Sequence, residues 1–329
     1  MKKLILASAH LYLLSLFGWL AARAIFADGH WVLFLLNALG FYWFMPLLVV
    51  GGVAAIARSR WLGMGVALGG LAWVGLFGGL FLPRFPAARA GGPILRVMTY
   101  NMLGYTHHPE AVVAAIRAAR ADIVGIQELN SGAARALQTE LITEYPYQYL
   151  LPEDSVMGMG IISRYPMTDT GTVFPGLAVG PEQVMAVAWN GQAMHVVHIH
   201  PAPGGNNVAL REQTSRDVLA YAAARPGPTI VLGDLNATDL NRSYAMLLPT
   251  FRDAWREARA GLSGTFPGSD PALVPGSSRP RVGGFAVPQW LIRIDYVFHS
   301  AHFQTLTAAP GPWDGNSDHR PVVAELALP

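Results

Sequence analysis

Three long runs without a charged side chain crowd the start of this chain: Leu4–Ala22 (19 residues), Trp31–Ala57 (27) and Leu62–Leu82 (21). At about 1.5 Å per helical residue, each reaches across roughly 30 Å of hydrocarbon. A chain that opens this way cannot bury all of its apolar surface in one water-facing core. The charges follow the same division. Residues 1–82 hold only Lys2, Lys3, Arg23, Asp28, Arg58 and Arg60, and the other 38 of 44 charged residues lie beyond them. The mean hydropathy of +0.32 therefore averages two unlike parts. One is a membrane segment of three spanning helices, about 4–26, 31–57 and 62–82. The other, past a linker over 83–93 containing Pro83, Pro86, Gly91, Gly92 and Pro93, is a domain over 94–329 large enough to bury its own core.

A signal peptide is the competing reading of the first run, because Lys2 and Lys3 precede it. The run is long for that role, and two more follow after short loops. Trp19, Trp31, Trp61 and Trp73 lie near span ends or within spans, where several suit interfacial belts. The third run carries Gly63, Gly65, Gly69, Gly70, Gly75, Gly78 and Gly79, which reads either as a surface smooth enough for close helix packing or self-association or as a plain Gly-rich span. Lys2, Lys3, Arg58 and Arg60 flank the spans on one side, and the positive-inside rule places them in the cytoplasm. Three crossings then set everything after Leu82 outside it, in a multi-pass protein of the cell membrane. Arg23, at the outer end of the first span, runs mildly against this and would snorkel.

The chain has no cysteine, which removes thiolate chemistry and Cys-ligated zinc. Residues 83–329 contain 18 Arg, no Lys and 20 acids, a formal balance of −2. The basic pI near 8.9 is thus a property of the membrane segment. A non-specific nucleic-acid binder needs a basic face, and the overall balance of the domain supplies none.

Patterning predicts strands over Ile94–Tyr100, Ile123–Gln127, Tyr147–Leu151, Gly160–Ser163, Val184–Trp189, Ala193–His200, Thr229–Leu232, Arg293–His299 and Val322–Leu326. Helices are expected over Pro109–Ala119, Gly132–Thr143, Val208–Ala224 and Ser243–Leu248. Gly261–Pro288 has too many Gly and Pro for a regular element and is expected to cover a site or a membrane-facing edge. The mixture predicts a layered α/β domain.

Apolar strands repeatedly end in polar residues. Asn101, Glu128 and His200 each follow one, Asp234 and Asn236 follow another, Asp295 sits within a strand, and Ser317-Asp318-His319 precedes the last. Singly, each has a plain structural reading as a turn or a satisfied buried group. Together they converge at one sheet edge, as a preorganised site requires. The chemistry suggested is metal-assisted phosphoryl transfer, since Glu128 with Asn101 or Asp318 offers the oxygen ligands a hard cation such as Mg²⁺ prefers. No HExxH, GxxxxGK[ST] or GxSxG motif is present.

The segments VMTYNML (97–103), DIVGIQELN (122–130), GIISRYP (160–166), HIHPAPG (198–204), IVLGDLNAT (230–238), RIDYVF (293–298) and NSDHRPVVAEL (316–326) resemble the endonuclease/exonuclease/phosphatase superfamily. The resemblance covers about residues 94–328 in the family's motif order. It implies a four-layer α/β sandwich, two mixed sheets face to face with helices outside and a site at one end. It also implies Mg²⁺, with Mn²⁺ as the other candidate. Glu128 resembles the principal metal ligand, with Asn101 beside it and Asp318 the metal-proximal acid. Asp234 resembles the residue that orients or deprotonates the attacking water. Asn236 stabilises phosphoryl oxygens, and His319, oriented by Asp295, contacts phosphate. His200 resembles a second histidine and candidate general acid, with His198 its rival on the same strand face. Glu153 is a candidate to orient His200, and Arg164 a candidate phosphate contact. The expected substrate is a phosphate ester at the membrane surface, a lipid-linked one ranking above DNA or RNA. A catalytically inactive membrane scaffold is the remaining alternative.

Overall fold

In the computed structural model, which describes residues 1–84, 91–106, 108–172, 174, 180–268, 279, 281–312 and 315–328, the chain opens with four helices. These are α1 (Lys2–Phe26), α2 (Trp31–Ala38), α3 (Pro46–Ala57) and α4 (Arg60–Phe77). The domain begins with β1 (Ile94–Asn101), α5 (Pro109–Ala119), β2 (Ile123–Gln127), α6 (Ser131–Glu140), β3 (Tyr147–Leu151), β4 (Met159–Ser163) and β5 (Met167–Asp169). It continues with β6 (Gln183–Trp189), β7 (Gln192–Ile199), α7 (Val208–Ala224), β8 (Thr229–Asp234), α8 (Arg242–Leu247), β9 (Arg252–Asp253) and α9 (Ala254–Ala258). A short hairpin, β10 (Arg281–Val282) and β11 (Phe285–Ala286), precedes β12 (Asp295–His299), β13 (Gln304–Pro310) and β14 (Val322–Ala327).

Two mixed six-stranded sheets form, ordered β13-β14-β1-β2-β4-β3 and β5-β6-β7-β8-β12-β9. Their layering follows from strand alternation. Leu95 and Val97 of β1, Ile123 of β2, Val196 of β7, Ile230 and Leu232 of β8 and Val297 of β12 meet in one core between the sheets. The alternate residues Met98, Tyr100, Val124 and Ile126 pack outward against α5 and α6. Val197, Ile199 and Val231 pack outward with residues of α7 and α8. The expected helix–sheet–sheet–helix sandwich is present.

Gly233 marks the tightest strand contact. Its φ is 153°, and a Cβ there would lie 1.9 Å from the Ile199 carbonyl oxygen. Gly233→Ala is expected to force β7 and β8 apart and to cost about 3 kcal/mol. A thermal melt equal to that of the parent chain would contradict this.

The second apolar run departs from expectation. It is not one straight span: α2 and the helical stretch Tyr42–Ala57 are bent by 74° to each other. Two helices, Lys2–Phe26 and Arg60–Leu80, are long and apolar enough to cross a membrane, and the count is three if the bent pair is one span. Pro46 opens α3, where its missing N–H costs nothing. The segment ahead of the bend turns onto the domain. Phe34 of α2 is buried in the core around α7, and the Arg211 guanidinium lies 4.0 Å over its ring. The Tyr42 hydroxyl donates to Leu291 O at 2.6 Å.

Asp28, between α1 and α2, is buried and joins the two parts. Its Oδ1 accepts from Asn37 (2.6 Å) and Asn241 (3.1 Å), and its Oδ2 accepts from the backbone N–H of Arg242. Arg23, at the C-terminal end of α1, donates to Leu240 O of the domain. In α4, a Cβ on Gly65 would crowd Leu13 and one on Gly69 would crowd Leu47, so these two glycines allow close packing on α1 and α3. Gly63, Gly70, Gly75 and Gly79 face open space.

The stretch Gly261–Pro288 is more ordered than expected, since it contains the β10–β11 hairpin. Leu273 and Val274, two of the apolar residues of this stretch, lie outside the described residues, as does most of the linker over 83–93.

Candidate active site

The strand alternation that builds the inter-sheet core also assembles the polar groups. Asn101 follows Val97 and Thr99 on the inner face of β1, Asp234 follows Ile230 and Leu232, and Asp295 shares the inner face of Val297. Parallel pairing of Ile199 with Gly233 brings His200 beside Asp234, and antiparallel pairing sets Asp295 opposite Asp234. The site is the open end of the slot between the two sheets.

Asp234 stands at its centre. Its Oδ2 accepts from Asn101 Nδ2 at 3.2 Å, and its Oδ1 accepts from the Asn236 N–H at 2.8 Å. His200 Nε2 lies 3.7 Å and His319 Nε2 3.9 Å from Oδ2. His319 Nδ1 donates to Asp295 Oδ2 at 2.9 Å. The Asn236 side chain donates to Pro201 O at 3.1 Å, tying the loop after β8 to the loop after β7. Ser317 donates to Asn101 O and accepts from the His319 N–H, which seats the Ser317–His319 turn on β1. Glu128 and Asn236 both have left-handed backbones, φ 58° and 50°. Asn tolerates this conformation, and Glu takes it at a cost of about 1–3 kcal/mol that clusters at functional sites. Here it turns the Glu128 carboxylate out of the β2 alternation toward Asn101 Nδ2 (3.1 Å) and the Gly104 N–H (2.9 Å).

Burial and mutual charge set the protonation. Burial pushes Asp234 up to about 7, and the nearby Asp295 pushes the same way. Burial works to lower His319, but Asp295 and Asp234 outweigh it and hold the imidazole well above its ordinary value. His319 is the charged histidine of the site, with a carboxylate near each ring nitrogen. His200 is its opposite: burial, reinforced by the His319 charge, lowers it to about 3. It is a neutral ring at physiological pH and is poorly suited as a resting proton donor.

His198, one alternation step deeper, is in the core. Its Nδ1 pairs with Gln183 at 2.9 Å and its Nε2 with Gln127, so of the two histidines only His200 reaches the site. Two expected residues do not join it. Arg164 is paired with Asp122 at 3.6 Å, ahead of β2, whereas Glu128 follows that strand. Antiparallel pairing of β4 with β2 sets Ser163 opposite Ile123 and carries Arg164 to the far edge of the sheet. Glu153 is exposed and accepts from Ser155, and His200 Nδ1 has no hydrogen-bond partner among the described residues.

Thr265, Phe266 and Asn130 also contribute. Thr265 Oγ1 accepts from the N–H groups of Ile294 and Asp295, and the Phe266 ring lies 4.9 Å from that of His319. This part of the Gly- and Pro-rich stretch does border the site, as expected. Asn130 caps α6 and donates to Gly104 O and Thr106 O, fixing the loop that supplies the Glu128 partner. A helix-capping Asn after an acid was the available signal.

The donor set fits a hard divalent cation. Burial raises both Glu128 and Asp318, and their mutual repulsion raises Glu128 further; a cation would relieve both effects. Asp295 Oδ1 is buried without a hydrogen-bond partner among the described residues. Asp234, Asp295 and His319 also offer ligand atoms within 4.8 Å of one another. Oxygen donors without thiolates suit Mg²⁺ or Mn²⁺. Asn101 turns its amide N–H to the carboxylates and its carbonyl to the Leu103 N–H, so in this arrangement it orients ligands.

The profile of the Endonuclease/Exonuclease/phosphatase family matches residues 98–319, more than half of the chain. The chain belongs to this family. Solved endonuclease/exonuclease/phosphatase folds agree. Truncated TDP2 from Caenorhabditis elegans superposes with TM-score 0.56 at 16% identity, covering 71% of this chain and 98% of that one. An endonuclease/exonuclease/phosphatase from Beutenbergia cavernae gives 0.52 at 23%, covering 71% and 72%. TDP2 from D. rerio complexed with single strand DNA product gives 0.53 at 16%, covering 71% and 99%. At such identities the likeness establishes the fold. No curated protein sequence matches the chain. Members of the endonuclease/exonuclease/phosphatase family are generally hydrolases acting on phosphate esters.

Proposed function

We propose that the chain is a Mg²⁺-dependent phosphoesterase that hydrolyses a lipid-linked phosphate at the outer surface of the cell membrane. One observation carries this reading. The loop that starts at Asp234 and bears Asn236 ends with Leu240 packed among the apolar helices, beside Gly40 and bonded to Arg23. If those helices lie in a bilayer, the catalytic slot opens next to it. An anchored enzyme then meets membrane-borne substrate at high local concentration. The Lys-free, mildly acidic domain fits a lipid phosphate better than a nucleic-acid backbone.

Within the slot, the Asp234 carboxylate orients water and takes its proton. The Asn236 amide and the His319 imidazolium stabilise charge on the phosphoryl oxygens, and Asp295 holds the His319 ring in place. Neutral His200 borders Asp234, its Nε2 3.7 Å from Oδ2, and offers a ring N–H to the substrate. Glu128 and Asp318, ordered by Asn101, would hold the cation, which supplies Lewis-acid neutralisation of the phosphoryl group.

Purified full-length protein in detergent, assayed with Mg²⁺ and with EDTA, is expected to release phosphate or headgroup from phospholipid or polyprenyl diphosphate only with Mg²⁺. Cleavage of plasmid DNA without any action on lipid phosphates would overturn the substrate assignment and favour a nuclease. Sidedness has a separate test. A reporter fused after Pro329 should be active outside the cytoplasm, and activity confined to the cytoplasm reverses the orientation.

A further inference from the structure

A cleft of about 560 Å³ opens between α1 and α4 beneath the domain. Its walls are Leu20 and Ala24 on one side and Ala72, Gly75 and Leu76 on the other, and its roof is the segment Leu240–Arg242. The walls belong to the two helices long and apolar enough to cross a membrane, so in a bilayer the solvent facing the opening is lipid. The roof carries charge of one sign in excess. Arg23 and Arg242 both border the cleft. Asp28, the acid beside them, is buried, held by Asn37, Asn241 and the Arg242 backbone, and offsets one of these two charges. Among the described residues, the acid paired with the Arg242 guanidinium is Glu212 at 3.7 Å, and it is shared with Arg216 at 3.6 Å. One carboxylate between two guanidiniums leaves unneutralised positive charge over an apolar groove.

We propose that this cleft binds one anionic phospholipid, its phosphate beneath Arg23 and Arg242 and one acyl chain between α1 and α4. Guanidinium groups recognise phosphate through charge-assisted hydrogen bonds, and small residues at 72 and 75 leave room for a chain. The site is separate from the catalytic slot. It depends on the helices residing in a bilayer, not on which phosphate ester is hydrolysed. A lipid held there would brace the segment Leu240–Arg242, which continues the loop bearing Asn236.

The test is native mass spectrometry of the full chain in detergent, titrated with dioleoyl phosphatidylglycerol or dioleoyl phosphatidylcholine. One phosphatidylglycerol per chain is expected, bound about tenfold more tightly than phosphatidylcholine, the value of one charge-assisted hydrogen bond. Arg242→Gln should remove that preference. Gly75→Leu, at a position where a Cβ meets nothing within 4 Å, should fill the groove and remove stoichiometric binding. Gly63→Leu, equally open but outside the cleft, should bind as the parent does. Equal affinity for the two lipids, unchanged binding by Gly75→Leu, or equal loss in Gly63→Leu would each overturn the site. None of these readouts involves turnover, so failure here is distinct from failure of the proposed phosphoesterase activity.

Discussion

Asp234→Asn is expected to reduce turnover by about 10²–10⁴-fold while the chain keeps its melting temperature. The two halves of that result have one cause. Asp234 is buried beside Asp295, and its ionised form is held there against desolvation and like charge. An amide of the same shape gives up the proton acceptor but also removes the repulsion. It sacrifices at most one of the two hydrogen bonds that Asn101 and the Asn236 N–H donate to the carboxylate. A structural aspartate would behave in the opposite way, with stability falling first and residual turnover tracking the folded fraction. Turnover equal to that of the parent would remove Asp234 from the chemistry altogether.

The largest effect on stability is expected at Arg293. Its guanidinium donates to Asp253 at 3.1 and 2.6 Å and to Asp239 at 2.9 Å, and it stacks over Tyr296 at 4.6 Å. Burial works against its charge, but Asp239 and Asp253 more than compensate and hold it well above its ordinary range. Arg293→Met leaves two buried carboxylates short of a counter-charge and should cost about 3–5 kcal/mol. That would be read as a fall in Tm of about 10 °C for a domain of this size. Adding Asp253→Asn to Arg293→Met should recover part of the loss, because it removes one of the stranded charges. If the double variant melts below the single one, the network is not electrostatic in the way described. The cluster lies at the base of the site. Asp239 is in the loop that starts at Asp234, and Arg293 directly precedes the strand that begins at Asp295, so Arg293→Met is also expected to loosen both.

Much of this was legible in the sequence because two simple periods carry it. Pro109–Ala119, Ile123–Gln127, Tyr147–Leu151 and Val208–Ala224 have the predicted bounds. The polar residues at strand ends read as a site because the inner face of each strand continues into it. What failed required direction or depth. Arg164 follows a strand as Glu128 does, but its strand runs the other way, and no local pattern records that. His198 and His200 share a face, and only the position of the sheet edge separates a core ring from a site ring. Hydropathy carries no direction, so the bend within the second apolar run is not legible in it. The break lies between Ala38 and Tyr42, where the backbone of Gly40 comes so near Leu240 that a Cβ would sit 2.5 Å from its Cδ1. The strand Gln304–Pro310 has no clear sequence signature because its Ala and Thr residues alternate weakly, and its pairing with β14 is interrupted by a bulge.

The bonds that converge on Asp28 bear on reach. A domain hung from a flexible tether sweeps a hemisphere and meets headgroups of any length. Here Asn37, Asn241 and the Arg242 backbone grip one carboxylate, and Tyr42 fastens a second point at Leu291. In a bilayer this geometry gives the catalytic slot a fixed stand-off from the surface. Esters would then be sorted by stature as well as by chemistry: a phosphate near the bilayer plane lies within range, and one carried far out on a tall headgroup passes over it.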